Sequence, residues 1–174
     1  YKFQQKHKKM SKNFSDLGIS APVVKAISEL QIEVPTEIQQ KVIPLLLANT
    51  TDLVGLAKTG TGKTAAFGLP LLQLIDTSST KVQAVILVPT RELGHQIFTN
   101  LESFSKYLPE VSIAATCGGI PIKPQIERLS SATHIVVATP GRLIDLIQRK
   151  KIDLKDTKFL VLAEADEMVS ILTE

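Results

Sequence analysis

Tryptophan is absent from this chain, cysteine occurs once, and aromatic residues make up only 5% of the 174 positions. The lone cysteine, Cys117, excludes an internal disulfide bond and agrees with a reducing compartment, where we interpret it as a small buried hydrophobe. No apolar run approaches the ~18 residues needed to cross a membrane, and no signal peptide is recognisable. We therefore expect one globular domain without a membrane partner, located in the cytoplasm, with the nucleus as the alternative.

Acidic residues are absent from positions 1–12, which hold five lysines. This stretch accounts for the net charge of +3, because positions 13–174 contain 15 basic and 17 acidic residues. The overall basicity therefore says nothing about the partners of the folded body. We interpret 1–12 as a basic flexible tail and 13–174 as a single folded domain.

Two helices are predicted before residue 50. Ser20 is a typical N-cap for a helix that reaches about Leu30. Thr36 and Gln39 fit a capping box at the start of the second helix, which Pro44 is expected to end or kink.

From residue 51 onward, apolar runs of strand length alternate with helical patterns. The predicted strands are 51–57, 82–88, 111–117, 134–138 and 159–162, and helices begin near Thr64, Thr90, Ile122 and Arg142. This alternation predicts an α/β fold with a parallel sheet and helices on both faces. The last strand has no crossover partner before the end of the sequence, so we expect the domain to be truncated at its C-terminus.

The most informative stretch lies between the first of these strands and the helix that follows it. It reads Ala57-Lys58-Thr59-Gly60-Thr61-Gly62-Lys63-Thr64. Gly60 and Gly62 permit left-handed turns that point backbone N–H groups at phosphate oxygens, and the helix start adds its positive dipole end. Lys63 is placed to reach the β- and γ-phosphates and Thr64 to offer a hydroxyl to Mg²⁺, so the run predicts a nucleotide phosphate cradle.

Several further blocks occur in order along the chain. They are Phe14, which stands seventeen residues before Gln31; Pro35-Thr36 with Ile38-Gln39; the cradle; Pro89-Thr90-Arg91-Glu92-Leu93; Gly118-Gly119; Thr139-Pro140-Gly141-Arg142; and Ala163-Glu164-Ala165-Asp166. In this order and spacing the sequence resembles the first RecA-like domain of DEAD-box ATP-dependent RNA helicases over residues 14–166. The resemblance implies a P-loop NTPase domain with a Q motif, which uses ATP and Mg²⁺ and remodels or unwinds RNA.

The resemblance implies an ATP site built from the Q motif and the cradle. Its expected members are Phe14, Ile32, Thr36, Gln39, Ala57, Lys58, Thr59, Gly60, Thr61, Gly62, Lys63 and Thr64. Gln39 would form paired hydrogen bonds to the adenine edge. Gln31 and Ile32 replace the glycine and the aromatic residue usual in the family, so adenine would rest on an aliphatic side chain.

The resemblance also implies an RNA site at the carboxyl ends of the strands. Its expected members are Pro89, Thr90, Arg91, Gly118, Gly119, Thr139, Pro140, Gly141 and Arg142. Hydroxyls, backbone N–H groups and arginines would hold the RNA backbone, and contacts to 2′-hydroxyls would favour RNA over DNA. Taken alone, the same blocks also fit strand ends, turns and helix caps.

Ala163 departs from the family pattern, which has an aspartate that holds Mg²⁺ at this place. Glu164, which the family uses to activate water, and Asp166 are present, so the resemblance implies Lys63, Glu164 and Asp166 as catalytic residues beside a weakened metal site. Ser131-Ala132-Thr133 spells another family motif but precedes the place where that motif occurs, and we interpret it as a coincidental loop.

Three functions remain open from the sequence. The first is the ATP-binding domain of a monomeric RNA helicase. The helicase needs a second RecA-like domain, and this chain alone binds nucleotide with little turnover. The second is a non-hydrolysing, nucleotide-dependent RNA clamp or scaffold. The third, an unrelated P-loop kinase or GTPase, requires the Q motif and the RNA blocks to be accidental.

Overall fold

The computed structural model describes residues 13–48, 52–56, 58, 60–129 and 132–172, with side chains described up to Met168. The basic tail expected at 1–12 lies outside these ranges. The elements in chain order are α1 Ala21–Glu29, α2 Glu37–Leu47, α3 Lys63–Leu74, β1 Ala84–Leu87, α4 Arg91–Phe104, β2 Ile113–Thr116, α5 Lys123–Leu129, β3 Ile135–Ala138, α6 Pro140–Gln148, β4 Phe159–Leu162 and α7 Ala165–Leu172. Among them, no helix is both long and apolar enough to cross a bilayer.

The four strands form one parallel sheet in the order β2-β3-β1-β4. In β1, Ala84 lies opposite Ile135 of β3 on one side and Phe159 of β4 on the other. Because parallel strands all end at the same edge, the segments that follow β1, β2, β3 and β4 lie together at the carboxyl edge of the sheet. The α/β fold with a parallel sheet is confirmed.

Helices cover both faces of this sheet. Ile86 of β1 belongs to the larger apolar cluster, which includes residues of α1, α3 and α4. Val85 belongs to a smaller cluster with Val136 of β3 and Leu143 of α6. Alternate residues of β1 are therefore buried on opposite faces, which explains why the strands read as continuous apolar runs.

The strand predicted at 51–57 is wrong for the part that the structure describes. Residues 52–56 belong to no strand or helix, and Val54 and Leu56 are 88% and 91% exposed. An apolar run forms a strand only where a neighbouring strand accepts its backbone hydrogen bonds, and none of the four described strands pairs with these residues. Thr51 and Ala57 lie outside the described residues.

The end of one helix and the presence of another also differ from expectation. Of the two effects expected of Pro44, an end or a kink, the end does not occur, because the second helix continues through Pro44 to Leu47. Its last turn is retained because the amide of Ala48 donates to Pro44 O, a bond that does not need the missing proline N–H. Helix α7 was not predicted at all, since too few residues follow β4 to reveal its period.

Helix α4 approaches the sheet closely at Gly94. A Cβ atom there would lie 2.7 Å from Cys117 Sγ and 3.1 Å from Val88 Cγ2. The better helix propensity of alanine offsets only up to ~1 kcal/mol of this overlap. We expect Gly94→Ala to destabilise the fold by about 1–2 kcal/mol, which lowers the Tm by about 3–6 °C in a circular dichroism melt.

The matched control is Gly141→Ala in α6, where an added Cβ meets no atom within 4 Å. We expect that variant to be neutral or slightly more stable than the unchanged chain. Equal losses of Tm at both positions would contradict the close-packing explanation.

Candidate functional site

The cradle predicted at 57–64 adopts the backbone that its glycines allow. Gly60 and Gly62 have φ values of 81° and 86°, in the left-handed region that disfavours side chains. Helix α3 begins at Lys63, directly after Gly62. The helix start and the two glycine turns form the arrangement that receives phosphate through backbone N–H groups. Ala57 and Thr59 lie outside the described residues.

The Q-motif residues bond directly to this cradle. Thr36 Oγ1 donates to Thr61 O at 2.9 Å, and Gln39 Nε2 donates to Gly62 O at 3.1 Å. Gln39 Oε1 in turn accepts from the backbone N–H of Thr36 at 2.8 Å, which is the reverse half of the predicted capping box. A Cβ atom on Gly62 would lie 2.3 Å from Gln39 Nε2, so only glycine permits this approach. Capping and contact with the cradle are therefore performed by the same two side chains.

An ion pair crosses from the cradle to the segment after β4. Lys63 Nζ lies 2.7 Å from Glu164 Oε1, and the two side chains are 29% and 31% exposed. Glu164 itself has a φ of 52°, which holds its side chain in the turn between β4 and α7. A phosphate that binds Lys63 has to compete with this carboxylate.

The donor set for Mg²⁺ is incomplete. The hydroxyl of Thr64 is present at the second position of α3, but Ala163 offers only a methyl group and a backbone amide that donates to Leu87 O. Within the described ranges, no three His, Cys, Asp or Glu residues are grouped to hold a metal ion. Mg²⁺ favours several oxygen ligands in octahedral geometry. Without a carboxylate at position 163, these residues provide fewer oxygen ligands than the family pattern does, and they do not fit the ion.

The segments after β2 and β3 form a second region at the same edge. The backbone N–H of Gly118 donates to Thr139 Oγ1 at 3.1 Å, and Arg142 Nη2 donates to Ile120 O at 2.9 Å. Gly119 has a φ of 79°. The turn at 117–121, which we call the Gly-Gly loop, is thus bonded to the start of α6.

Two guanidinium groups flank the Gly-Gly loop. A Cβ atom on Gly119 would lie 3.5 Å from Arg91 Nη1, so that arginine lies beside the turn. Arg142 Nη1 is buried and has no hydrogen-bond partner in the described part of the chain. Thr90 caps α4 by accepting from Leu93 N at 3.3 Å, which fixes where Arg91 emerges. The arrangement provides positive charge and backbone donors for an anionic chain.

Cys117 lies at the base of the Gly-Gly loop. Burial raises the pKa of its thiol, against smaller opposing effects from the Thr139 amide and from Arg142. A buried thiol with a raised pKa is a poor nucleophile, so the interpretation as a small buried hydrophobe holds.

The structure groups most of the predicted site residues but not all of them. Phe14, expected beside the nucleotide, is 2% exposed and packs in the main core, where a ligand cannot reach it. Ile32 is half-buried against that core. Asp166 is exposed in the first turn of α7. Ser131 lies outside the described residues, while Thr133 is buried in the turn before β3 and donates to Arg128 O, as expected of a loop.

Sequence reasoning missed one buried polar residue at this edge, Gln125. Its Nε2 donates to Cys117 O at 3.1 Å and to Pro121 O at 3.4 Å, at the two ends of the Gly-Gly loop. A glutamine on a short helix carries no signal of such a role, and only the folded contacts reveal it.

Solved structures of other proteins share this architecture. The chain superposes on the crystal structure of a DEAD box protein from the hyperthermophile Methanococcus jannaschii with a TM-score of 0.85 and 43% identity, over 91% of this chain and 43% of that one. It superposes on S. cerevisiae Dbp5 bound to RNA and ADP BeF3 with a TM-score of 0.82 and 31% identity, over 91% of this chain and 40% of that one. The fold is therefore that of a RecA-like α/β domain.

The sequence defines the family more narrowly. The family model for DEAD/DEAH box helicases matches residues 36–172. The ATP-dependent RNA helicase DeaD of Escherichia coli strain K12 is 46% identical over 156 residues, which are 90% of this chain and 25% of that protein. The chain belongs to the DEAD/DEAH box helicase family, and it spans about a quarter of the length of such curated relatives.

Proposed function

We propose that this chain is the ATP-binding domain of an ATP-dependent RNA helicase, with ATP at the cradle and RNA at the Gly-Gly loop. The relatives are ATP-dependent RNA helicases, and one structural neighbour is bound to RNA and ADP BeF3. The two proposed regions lie at opposite ends of one sheet edge, near β4 and near β2. Both ligands could thus bind the same domain without overlap.

The observation that carries the nucleotide proposal is the contact between Gln39 and the cradle. An amide has two N–H donors and two acceptor lone pairs, and Gln39 uses one of each, toward Gly62 O and Thr36 N. The remaining donor and acceptor match N7 and N6 of adenine, whereas guanine presents acceptors at both positions. Gln39 is only 3% exposed in this structure, so we propose that it selects adenine once the neighbouring groups move aside and uncover its free donor and acceptor.

Substitution of Gln39 tests this proposal. We expect the unchanged chain to bind ADP at least about tenfold more tightly than GDP, and Gln39→Met to lose most of that preference, because one good bidentate pair contributes about 1–3 kcal/mol. Titration with fluorescent analogues of both nucleotides measures the two affinities.

Gln148→Met is the matched control, because Gln148 is an exposed glutamine at the end of α6. It should leave both affinities unchanged. Equal binding of GDP and ADP by the unchanged chain would overturn the adenine-reading role of Gln39.

The RNA part of the proposal rests on the group around the Gly-Gly loop. Arg91, Arg142 and the Thr139 hydroxyl lie around the Gly-Gly loop, and they belong to the starts of α4 and α6. Such donors suit the phosphates and 2′-hydroxyls of RNA without reading its sequence. Pro89, Pro140 and Gly141 shape these helix starts and would contact RNA through the backbone.

We further propose that turnover by this chain is very low. Ala163 removes a carboxylate at the carboxyl end of β4, and Glu164 is held by Lys63 rather than free to orient water. A second RecA-like domain would have to supply arginines and the rest of the RNA groove.

A nucleotide-dependent RNA clamp is the second candidate, and Ala163 is the observation that favours it. The two candidates differ in RNA-stimulated ATP hydrolysis by a protein that contains both RecA-like domains. Turnover there supports the helicase, and RNA binding that needs ATP without turnover supports the clamp.

A further inference from the structure

We propose that Gln125 is a positioning residue for RNA binding, because it fixes both ends of the Gly-Gly loop independently of Arg142. This inference rests on the RNA-binding role proposed above. Gln125 lies on α5, which none of the family blocks identified from the sequence includes. Its chemical task would be to keep backbone groups at 118–120 ready for a phosphate.

The burial of Gln125 is unusual for its helix. Of the seven residues of α5, it is the one that is buried, at 4% exposure, while Ile126 and Leu129 are half-buried. Burial of an amide costs free energy unless hydrogen bonds compensate, and Gln125 Oε1 has no partner among the described residues. If the side chain served only to fill this space, an apolar residue would do so without the cost of burying an amide. The two N–H donors are therefore the property of glutamine that matters at this position.

Those donors bind the loop at its two ends. Cys117 O and Pro121 O, both within reach of Nε2, bracket the three residues that carry the Gly-Gly turn. Since both neighbours are carbonyl oxygens, the amide nitrogen has to face them and the orientation of the side chain is unambiguous. Gln125 therefore sets the separation of the loop ends.

The contact of Arg142 explains why a second support matters. Arg142 Nη2 donates to Ile120 O within the same loop. If Arg142 turns to an RNA phosphate, it gives up that bond, and the loop then depends on Thr139 and Gln125. The two bonds from Gln125 can keep the turn in place while the guanidinium is redirected.

The test compares Gln125→Met, which keeps the length of the side chain but removes both donors, with Gln148→Met on the surface of α6. Binding of a short labelled oligouridylate by fluorescence anisotropy at low salt gives the RNA affinity, and a fluorescent ADP analogue gives the nucleotide affinity. We expect Gln125→Met to weaken RNA binding about tenfold and nucleotide binding by less than about twofold, as loss of one or two hydrogen bonds implies. Hydrogen exchange at the amide of Gly118, which donates to Thr139 Oγ1, should accelerate.

Each outcome either supports or overturns the positioning role of Gln125. Unchanged RNA affinity and exchange in Gln125→Met overturn the proposal, as do parallel losses of RNA affinity, nucleotide affinity and Tm, which indicate a structural role only. If Gln125→Met does not fold, Gln125→Ala replaces it, since truncation removes both donors without placing a new group against the two carbonyls. If the unchanged chain binds no RNA while exchange still accelerates in the variant, the RNA function itself fails and the loop contact stands.

Discussion

Lys63→Ala is expected to reduce the affinity for ATP by about 10- to 100-fold, because a charge-assisted hydrogen bond to phosphate contributes about 1.5–3 kcal/mol. The lysine stands at the first position of α3, where the cradle ends. Its side chain is 29% exposed and its carboxylate partner is Glu164, so its removal leaves the core intact. Titration with a fluorescent ATP analogue measures the loss, and the unfolding temperature should change little.

Two controls separate phosphate binding from the ion pair. Lys106→Ala removes another ion-paired lysine, on the surface between α1 and α4, and should leave ATP affinity unchanged. Glu164→Gln breaks the pair but keeps the ammonium group, so it should strengthen ATP binding by removing the competing carboxylate. If Glu164→Gln weakens ATP binding as much as Lys63→Ala, the role of the lysine is to hold Glu164 and not phosphate.

Ala163→Asp is expected to make ATP binding depend on Mg²⁺. The methyl group of Ala163 stands at the carboxyl end of β4, one residue before Glu164. A carboxylate there would provide a second oxygen ligand for Mg²⁺ beside the Thr64 hydroxyl, and Mg²⁺ favours oxygen ligands. The ratio of ATP affinities with Mg²⁺ and with a chelator should rise by about tenfold, the scale of one charge-assisted contact.

Ala163→Asn controls for size and polarity, because it adds an amide of the same shape without charge. It should produce a much smaller Mg²⁺ effect. In a protein with both RecA-like domains, Ala163→Asp should also raise RNA-stimulated hydrolysis. An Asp variant that stays folded yet shows neither effect would place the catalytic deficit elsewhere.

The sheet was predictable because its strands are buried on both faces. The apolar runs at 82–88, 111–117, 134–138 and 159–162 each contain an observed strand, trimmed by up to three residues. The run at 51–57 has the same composition, but residues 52–56 pair with no described strand. Composition reports that a segment can be buried, whereas a strand also needs a neighbour for its backbone groups.

The site was predictable as separate blocks but not as contacts. Glycine patterns revealed the turns at Gly62 and Gly119, because positive φ values favour glycine. The bond from Gln39 to Gly62 joins residues 23 positions apart, and no local pattern encodes it. The burial of Phe14 was not foreseen for a related reason, since its position before the Q motif does not reveal that it faces the core.

The strand order also fixes how far apart the two proposed ligands lie. From β4 to β2 there are three interstrand steps, which at ~4.8 Å each place the Gly-Gly loop roughly 14 Å along the edge from Glu164, the partner of Lys63. The Debye length at physiological ionic strength is about 8 Å, so direct repulsion between charges bound at these two places is largely screened. An influence of the nucleotide on RNA held at the Gly-Gly loop that persists at this ionic strength would then be transmitted chiefly by movement of the protein.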